Sequence, residues 1–105
     1  QERMVEYASA VLKGKEQKSI FVNFAIKITK ECDCLAKDDP RIAPDIGIFA
    51  SNDPVSIDQA GMDLVNKACG LDIFKQVHPN RDGFKQLEYA AKIGLGNRGY
   101  KLIKL

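Results

Sequence analysis

The chain has 105 residues, 45% of them hydrophobic, with a formal net charge of +2, which fits one small domain with a single core and excludes general disorder. No apolar run approaches the roughly 18 residues that a membrane span needs, and the opening Gln1-Glu2-Arg3 shows no secretory signal. Three cysteines are too few, and odd in number, for a secreted disulfide framework. The expectation is a cytoplasmic protein without membrane attachment.

Residues 3–12 read as a helix, with Met4, Val5, Ala8, Val11 and Leu12 on one stripe and Gly14 as its stop. Because this pattern begins at once and no initiating Met precedes it, the chain is expected to be the C-terminal part of a longer protein. Residues 19–29 read as a strand. Ile20, Val22, Phe24, Ile26 and Ile28 alternate on one face, and Phe21, Asn23, Ala25, Lys27 and Thr29 on the other. This predicts a strand covered on both sides at its start and emerging near Thr29. Residues 30–44, broken by Pro40 and Pro44, read as a long loop. Residues 45–50 read as a short second strand, in which Gly47 marks a close approach.

Asp53-Pro54 is a helix start: the carboxylate caps the first amides and Pro54 occupies the first helical position. Ile57, Ala60, Gly61, Leu64, Val65 and Ala68 form the apolar stripe, and Gly70 ends the helix. A third helix is predicted over residues 84–93, with Phe84, Leu87, Tyr89 and Ala91 as candidates for burial, and a final strand over 100–105. The order helix, strand, strand, helix, helix, strand predicts an α/β fold. Its sheet is small, of about three strands with helices packed on it, a fragment of a larger domain whose sheet continues into absent residues. The 105 residues form a single module with no internal repeat.

Charge is uneven. Residues 31–63 hold eight acids against two bases, Lys37 and Arg41, so that segment is −6 and the remainder +8. The bases are scattered over helix ends and loops rather than gathered on one element among aromatics, which argues against a nucleic-acid partner. The acids either attract a cation or serve as turn and cap residues.

Cys32-Asp33-Cys34 closes the long strand. In extended backbone residues i and i+2 point to one side, so both sulfurs could face one ligand. Cys32 and Cys34 are therefore candidate metal or redox thiols, with Asp33, Asp45 and Asp58 as candidate oxygen donors and Cys69 and His78 as the other borderline ligands. A structural zinc site wants four ligands, and a ferredoxin-type cluster wants a cysteine run this chain lacks. Gly94-Leu95-Gly96-Asn97-Arg98-Gly99 matches G-x-G-x-x-G, but a helix precedes it and a strand follows, the reverse of a dinucleotide site. A C-cap and tight return is the expected role. His78 has no placed nucleophile, and Asp53, a possible partner for Asp58, already has a capping role.

The stretches Cys32-Asp33-Cys34, Pro44-Asp45-Ile46-Gly47-Ile48 and Ala50-Ser51-Asn52-Asp53-Pro54-Val55-Ser56-Ile57-Asp58-Gln59-Ala60 resemble the uncharacterised iron–sulfur-centre protein family called domain of unknown function 362. Gln1-Glu2-Arg3-Met4-Val5-Glu6-Tyr7-Ala8, Gly94-Leu95-Gly96 and Tyr100 agree with it, so the resemblance spans nearly the whole chain. It implies a bacterial or archaeal cytoplasmic protein in which many members carry ferredoxin-like cysteine motifs upstream. Those motifs are not in this chain. An iron–sulfur cluster would then belong to the full-length protein, with ligands mostly outside these residues. Ser56 departs from the family, where Ala is usual, and is expected to matter little.

The leading expectation is the C-terminal module of an iron–sulfur, ferredoxin-linked electron-transfer protein, with a metal ion or redox exchange at Cys32 and Cys34. Its partner would be an upstream ferredoxin-like domain of the same protein, and an exposed sheet edge would also permit a homo-oligomer. The alternatives are a structural or interaction module without chemistry of its own, and an enzyme whose cleft is lined by Asp45, Asp53, Asp58 and the thiols.

Overall fold

Alternation and capping translate into six elements in the computed structural model, which describes residues 1–32 and 34–105. In chain order they are α1 (Glu2–Leu12), β1 (Phe21–Ala25), β2 (Gly47–Ser51), α2 (Pro54–Cys69), α3 (Ile73–Val77) and α4 (Phe84–Lys92). β1 and β2 pair antiparallel, with Val22 opposite Ala50 and Phe24 opposite Ile48. α2 lies across one face of this ribbon, α4 packs on α2, and α1 packs on α4. The fold is α/β, as expected, but the sheet has two strands among the described residues rather than about three.

Residues 100–105 are irregular and exposed, not a strand. A strand exists only as a partner in a ladder, and this segment leaves the globule along α2, away from any such partner: the Tyr100 hydroxyl donates to Asp63 Oδ2 at 2.9 Å.

β1 is shorter than its alternating pattern. Lys27 adopts φ 49°, a left-handed conformation that ends extended backbone. The Lys27 N–H donates to Asp45 Oδ1 at 2.8 Å, which holds the bend. The chain resumes pairing in a single bridge between Thr29 and Arg41. The faces of β1 are also the reverse of what its apolarity suggests. The mixed row Phe21, Asn23 and Ala25 turns inward toward α2, where Asn23 Nδ2 donates to Asp58 Oδ1 at 2.7 Å. The wholly apolar row faces solvent: Ile20 is 74% exposed, Phe24 63%, and Ile48 of β2 64%.

Two clusters make the core. Val5, Val55, Leu87 and Ala90 join α1, α2 and α4, with Met62, Phe84, Tyr89 and Leu95 around them. Ala43, Val65 and Ile73 join the long loop, α2 and α3, with Ile28, Ile42, Ile46 and Cys69 alongside. α3 is an element the sequence pattern did not suggest; Asp72 caps it by accepting from Lys75 N at 3.1 Å.

α2 begins and ends as its sequence requires. Asp53 Oδ1 accepts from Val55 N (2.8 Å) and Ser56 N (3.0 Å), and Gly70 closes the helix at φ 70°. The second oxygen of Asp53 has a distant partner, Asn97 N at 2.8 Å. From there the segment 97–100 follows α2 one turn at a time. The Ser56 hydroxyl donates to the Asn97 carbonyl, with the Gly99 carbonyl 3.2 Å away as a second acceptor. Arg98 Nε donates to Gln59 Oε1 at 2.8 Å, and Gln59 Nε2 in turn to Asp63 Oδ1 at 2.9 Å. Asp53, Ser56, Gln59 and Asp63 lie three or four residues apart, the spacing of one helical face.

Gly96 is what lets this seam close. A Cβ there would stand 2.2 Å from Asp53 Oδ1 and 2.9 Å from Val55 Cγ2. Because Asp53 is held by three donors, it cannot retreat. Gly96→Ala is expected to cost about 1–3 kcal/mol by overpacking, and Asp53→Ala at least the roughly 1–2 kcal/mol of a lost N-cap. Urea unfolding of each variant measures this; a Gly96→Ala midpoint equal to that of the parent would show that the seam is slack.

Candidate functional site

The thiols sit on a closed excursion of the chain. Its neck is the Thr29–Arg41 bridge, reinforced by Ile42 N donating to Ile28 O at 2.9 Å. Within it, Leu35 N donates to Cys32 O at 3.1 Å, so the backbone turns here rather than running extended. Cys34 N donates to Cys32 Sγ at 3.4 Å, and both cysteines are exposed. Asp33 lies outside the described residues. His78, at the end of α3, places Nε2 3.1 Å from the Lys30 carbonyl. The chain's lone imidazole thus clamps the neck of the cysteine loop instead of standing in a solvated turn, a contact between residues 48 apart that local sequence does not signal. Cys69 is half-buried in the second core cluster, with its Sγ 3.8 Å from the Ile42 carbonyl.

The other candidate donors are engaged one by one. Asp45 holds the Lys27 bend and Asp58 holds Asn23. Asp38 and Asp39 pair with Arg41 at 2.9 Å and Lys37 at 3.2 Å. Asp53 and Asp63 belong to the seam on α2. Among the described residues, no group of three or more His, Cys, Asp or Glu side chains converges as a metal site. The two thiols therefore amount to half of a four-ligand set.

Two clefts flank α2. One, of about 680 Å³, lies between the end of α1, the connector through Lys15 and the start of α2, where Asp53 lines it. The other, of about 470 Å³, is mostly apolar and lined by β1, Phe49, Val65 and Phe74, with Asp58 as its carboxylate. Asp53 and Asp58 thus face different clefts, and Asp45 lines neither. The G-x-G-x-x-G run does lie at a helix N-terminus, that of α2, but the Asp53 carboxylate occupies the amides that a phosphate would need.

The family model for the domain of unknown function (DUF362) matches residues 1–63. The chain belongs to that family. The match takes in α1, the sheet, the cysteine loop and the first half of α2; the Gly94-Leu95-Gly96 and Tyr100 similarities lie outside it. No curated protein and no solved structure matches the chain. No helix among the described residues is long and apolar enough to cross a membrane.

Ser56, expected to matter little, makes specific contacts in the structure. It is buried, and its hydroxyl holds the segment 97–99, an interaction alanine could not make. The same seam raises the Tyr100 phenol above its ordinary pKa, chiefly through burial and then through its hydrogen bond to, and the negative charge of, Asp63. Tyr89 is raised by its hydrogen bond to Glu6, with burial and the charges of Glu6 and Glu2 adding to it. A raised phenol pKa means that folding favours the neutral form. That contribution is complete below the unfolded value of about 10 and is lost as pH climbs through the higher folded value. In a Tyr7→Phe/Tyr89→Phe background, which leaves Tyr100 as the sole tyrosine, Asp63→Asn is expected to lower the tyrosinate absorbance midpoint while the burial component persists. An unmoved midpoint would separate Tyr100 from Asp63.

Proposed function

We propose that this DUF362 chain is the docking module of an iron–sulfur redox protein. It lays the outward face of its sheet on an upstream ferredoxin-like domain of the same protein, and holds Cys32 and Cys34 beside that joint. The observation that carries the reading is the solvent-facing row of Ile20, Val22, Phe24 and Ile26 with Ile48 across the ribbon. A contiguous apolar patch on the order of several hundred Å² is at the upper end of what monomers expose and marks an interaction surface. A two-stranded ribbon is also marginal alone and gains from a second covering layer. β1 leads from this face through the Lys27 bend to the neck of the cysteine loop, and the proposal sets the thiols beside the covered face. In this role Cys32 and Cys34 are two ligands of a metal or cluster whose remaining ligands come from the partner layer, and the group would supply electron transfer. The N–H of Cys34 aimed at Cys32 Sγ supports that use. Members of this family with ferredoxin-like motifs are cytoplasmic by the same resemblance, and this chain is proposed to share that location.

A second reading is favoured by the absence of a third converging donor among the described residues: the module docks in the same way and the thiols carry no chemistry. An enzyme cleft shared by Asp45, Asp53 and Asp58 draws no such support, since these carboxylates are separated and engaged in structural hydrogen bonds.

The test uses the full-length protein. Phe24→Asp/Ile48→Lys is expected to raise hydrogen exchange across β1 and β2 and to expose the joint to protease; unchanged exchange would end the docking proposal. Cys32→Ser/Cys34→Ser is expected to lower iron and acid-labile sulfide per chain without altering that exchange. Full iron content in this variant would leave the purely structural reading.

A further inference from the structure

β1 carries a second unoccupied feature, distinct from its apolar face. The 470 Å³ groove is lined by the consecutive residues Val22, Asn23, Phe24 and Ala25. Side chains of consecutive strand residues point to opposite faces, so a groove touching all four runs along an edge. β2 pairs along one edge of β1, so the groove follows the other. Among the described residues no further backbone hydrogen bond engages that edge. Phe49, Val65 and Phe74 line the groove's floor and far side, and Asp58 supplies a negative charge. This is a strand edge facing a helix across an apolar trough, the geometry that accepts an added extended segment through main-chain hydrogen bonds and alternate side-chain pockets.

The same chain contains a segment with matching chemistry. Residues 100–105, Tyr-Lys-Leu-Ile-Lys-Leu, are exposed, with Leu102 and Ile103 53% and 72% accessible. Lys101, Ile103 and Leu105 share one side of an extended strand, so the side that carries the apolar residues also brings one positive charge to Asp58. The segment leaves its own globule at Asp63. Asp58 and Asp63 are five positions apart on α2, about 140° around the helix, so a copy's own segment departs from the side of α2 turned away from its groove.

We propose that residues 101–105 of a second copy of this chain add as a third strand along the free edge of β1, in the groove closed by α2 and α3. Two copies exchange segments reciprocally, which closes the symmetry and gives each ribbon the third strand that independent sheets need.

The experiment is sedimentation equilibrium of the protein over a concentration series. Ile103→Asp/Leu105→Asp is expected to weaken self-association at least about tenfold, with circular dichroism unchanged because the segment is exposed. Tyr7→Lys, on the exposed side of α1 and outside both the sheet and the groove, is expected to leave association intact. A synthetic hexapeptide of residues 100–105 added to the Ile103→Asp/Leu105→Asp protein is expected to shift the amide resonances of Val22 through Ala25. The proposal is overturned if the parent protein is monomeric throughout, or if Ile103→Asp/Leu105→Asp associates as the parent does. It is equally overturned if Tyr7→Lys abolishes association, or if the peptide leaves those amides unmoved.

Discussion

One carboxylate, Asp53, joins the two halves of this molecule. Its Oδ1 terminates α2 by accepting two of the amides a helix leaves unpaired, and its Oδ2 reaches the backbone of Asn97, 44 residues on. A capping residue needs only one oxygen for its local work; the second is available to fix something else. Here it fixes the return of the chain after α4. That return follows α4, which packs on α2 beside α1 through Val5, Val55, Leu87 and Ala90. The ribbon of β1 and β2 packs on the same helix, so Asp53 caps the element on which the sheet and the helices meet. Gly96 is required because three donors leave Asp53 no room to yield.

The seam that follows uses polar side chains where a core would use apolar ones. Ser56 and Gln59 are buried, yet both have partners in the segment 97–99. Buried polar groups are tolerated when each is satisfied, and these are satisfied by main-chain carbonyls and by Arg98, which also approaches Glu88 of α4 at 3.6 Å. The arrangement specifies register more than it adds stability: a one-residue slip of the segment would leave several buried groups without partners, each worth on the order of 1–3 kcal/mol. Several acids of residues 31–63 also carry structural bonds: Asp38, Asp39, Asp45, Asp53, Asp58 and Asp63 each serve a cap, a bend, an ion pair or a neighbouring side chain.

Where local chemistry decides structure, the sequence was readable. Asp53-Pro54 and Gly70 bracket α2 as their capping physics requires, and the stripe of α1 marked its helix. The fold class followed from the order of elements. Failures occurred where a distant partner decides. Alternation in residues 19–29 shows that two faces exist but not which one α2 covers, and α2 chose the face where Asn23 meets Asp58 over the more apolar one. Residues 100–105 have a strand's pattern and lack a strand's neighbour. α3, five residues long, is too short to display a period. Exposure of Cys32 and Cys34 was legible from the loop around them; the clamp of His78 on Lys30 was not, because nothing within either segment refers to the other. Ser56 illustrates the same limit: its helix start was visible, while its role lies in carbonyls 41 and 43 positions away.

The two open surfaces of β1 differ in what they select. An apolar face is non-directional: any layer that excludes water will do, and its strength scales with area. A strand edge is directional, accepting only extended backbone in register, so it discriminates by conformation before side chains are considered. Val22 and Phe24 belong to both, since their side chains project from the face while their backbone forms the edge. Filling the edge therefore changes the face: an added strand contributes its own outward residues and widens the apolar row. A wider row repays covering more than a narrow one, and a covered row holds the added strand flat against its neighbour. The two surfaces are thus coupled in sign, each stabilising occupation of the other, and the coupling passes through two residues whose inward neighbours, Asn23 and Ala25, keep the strand seated on α2.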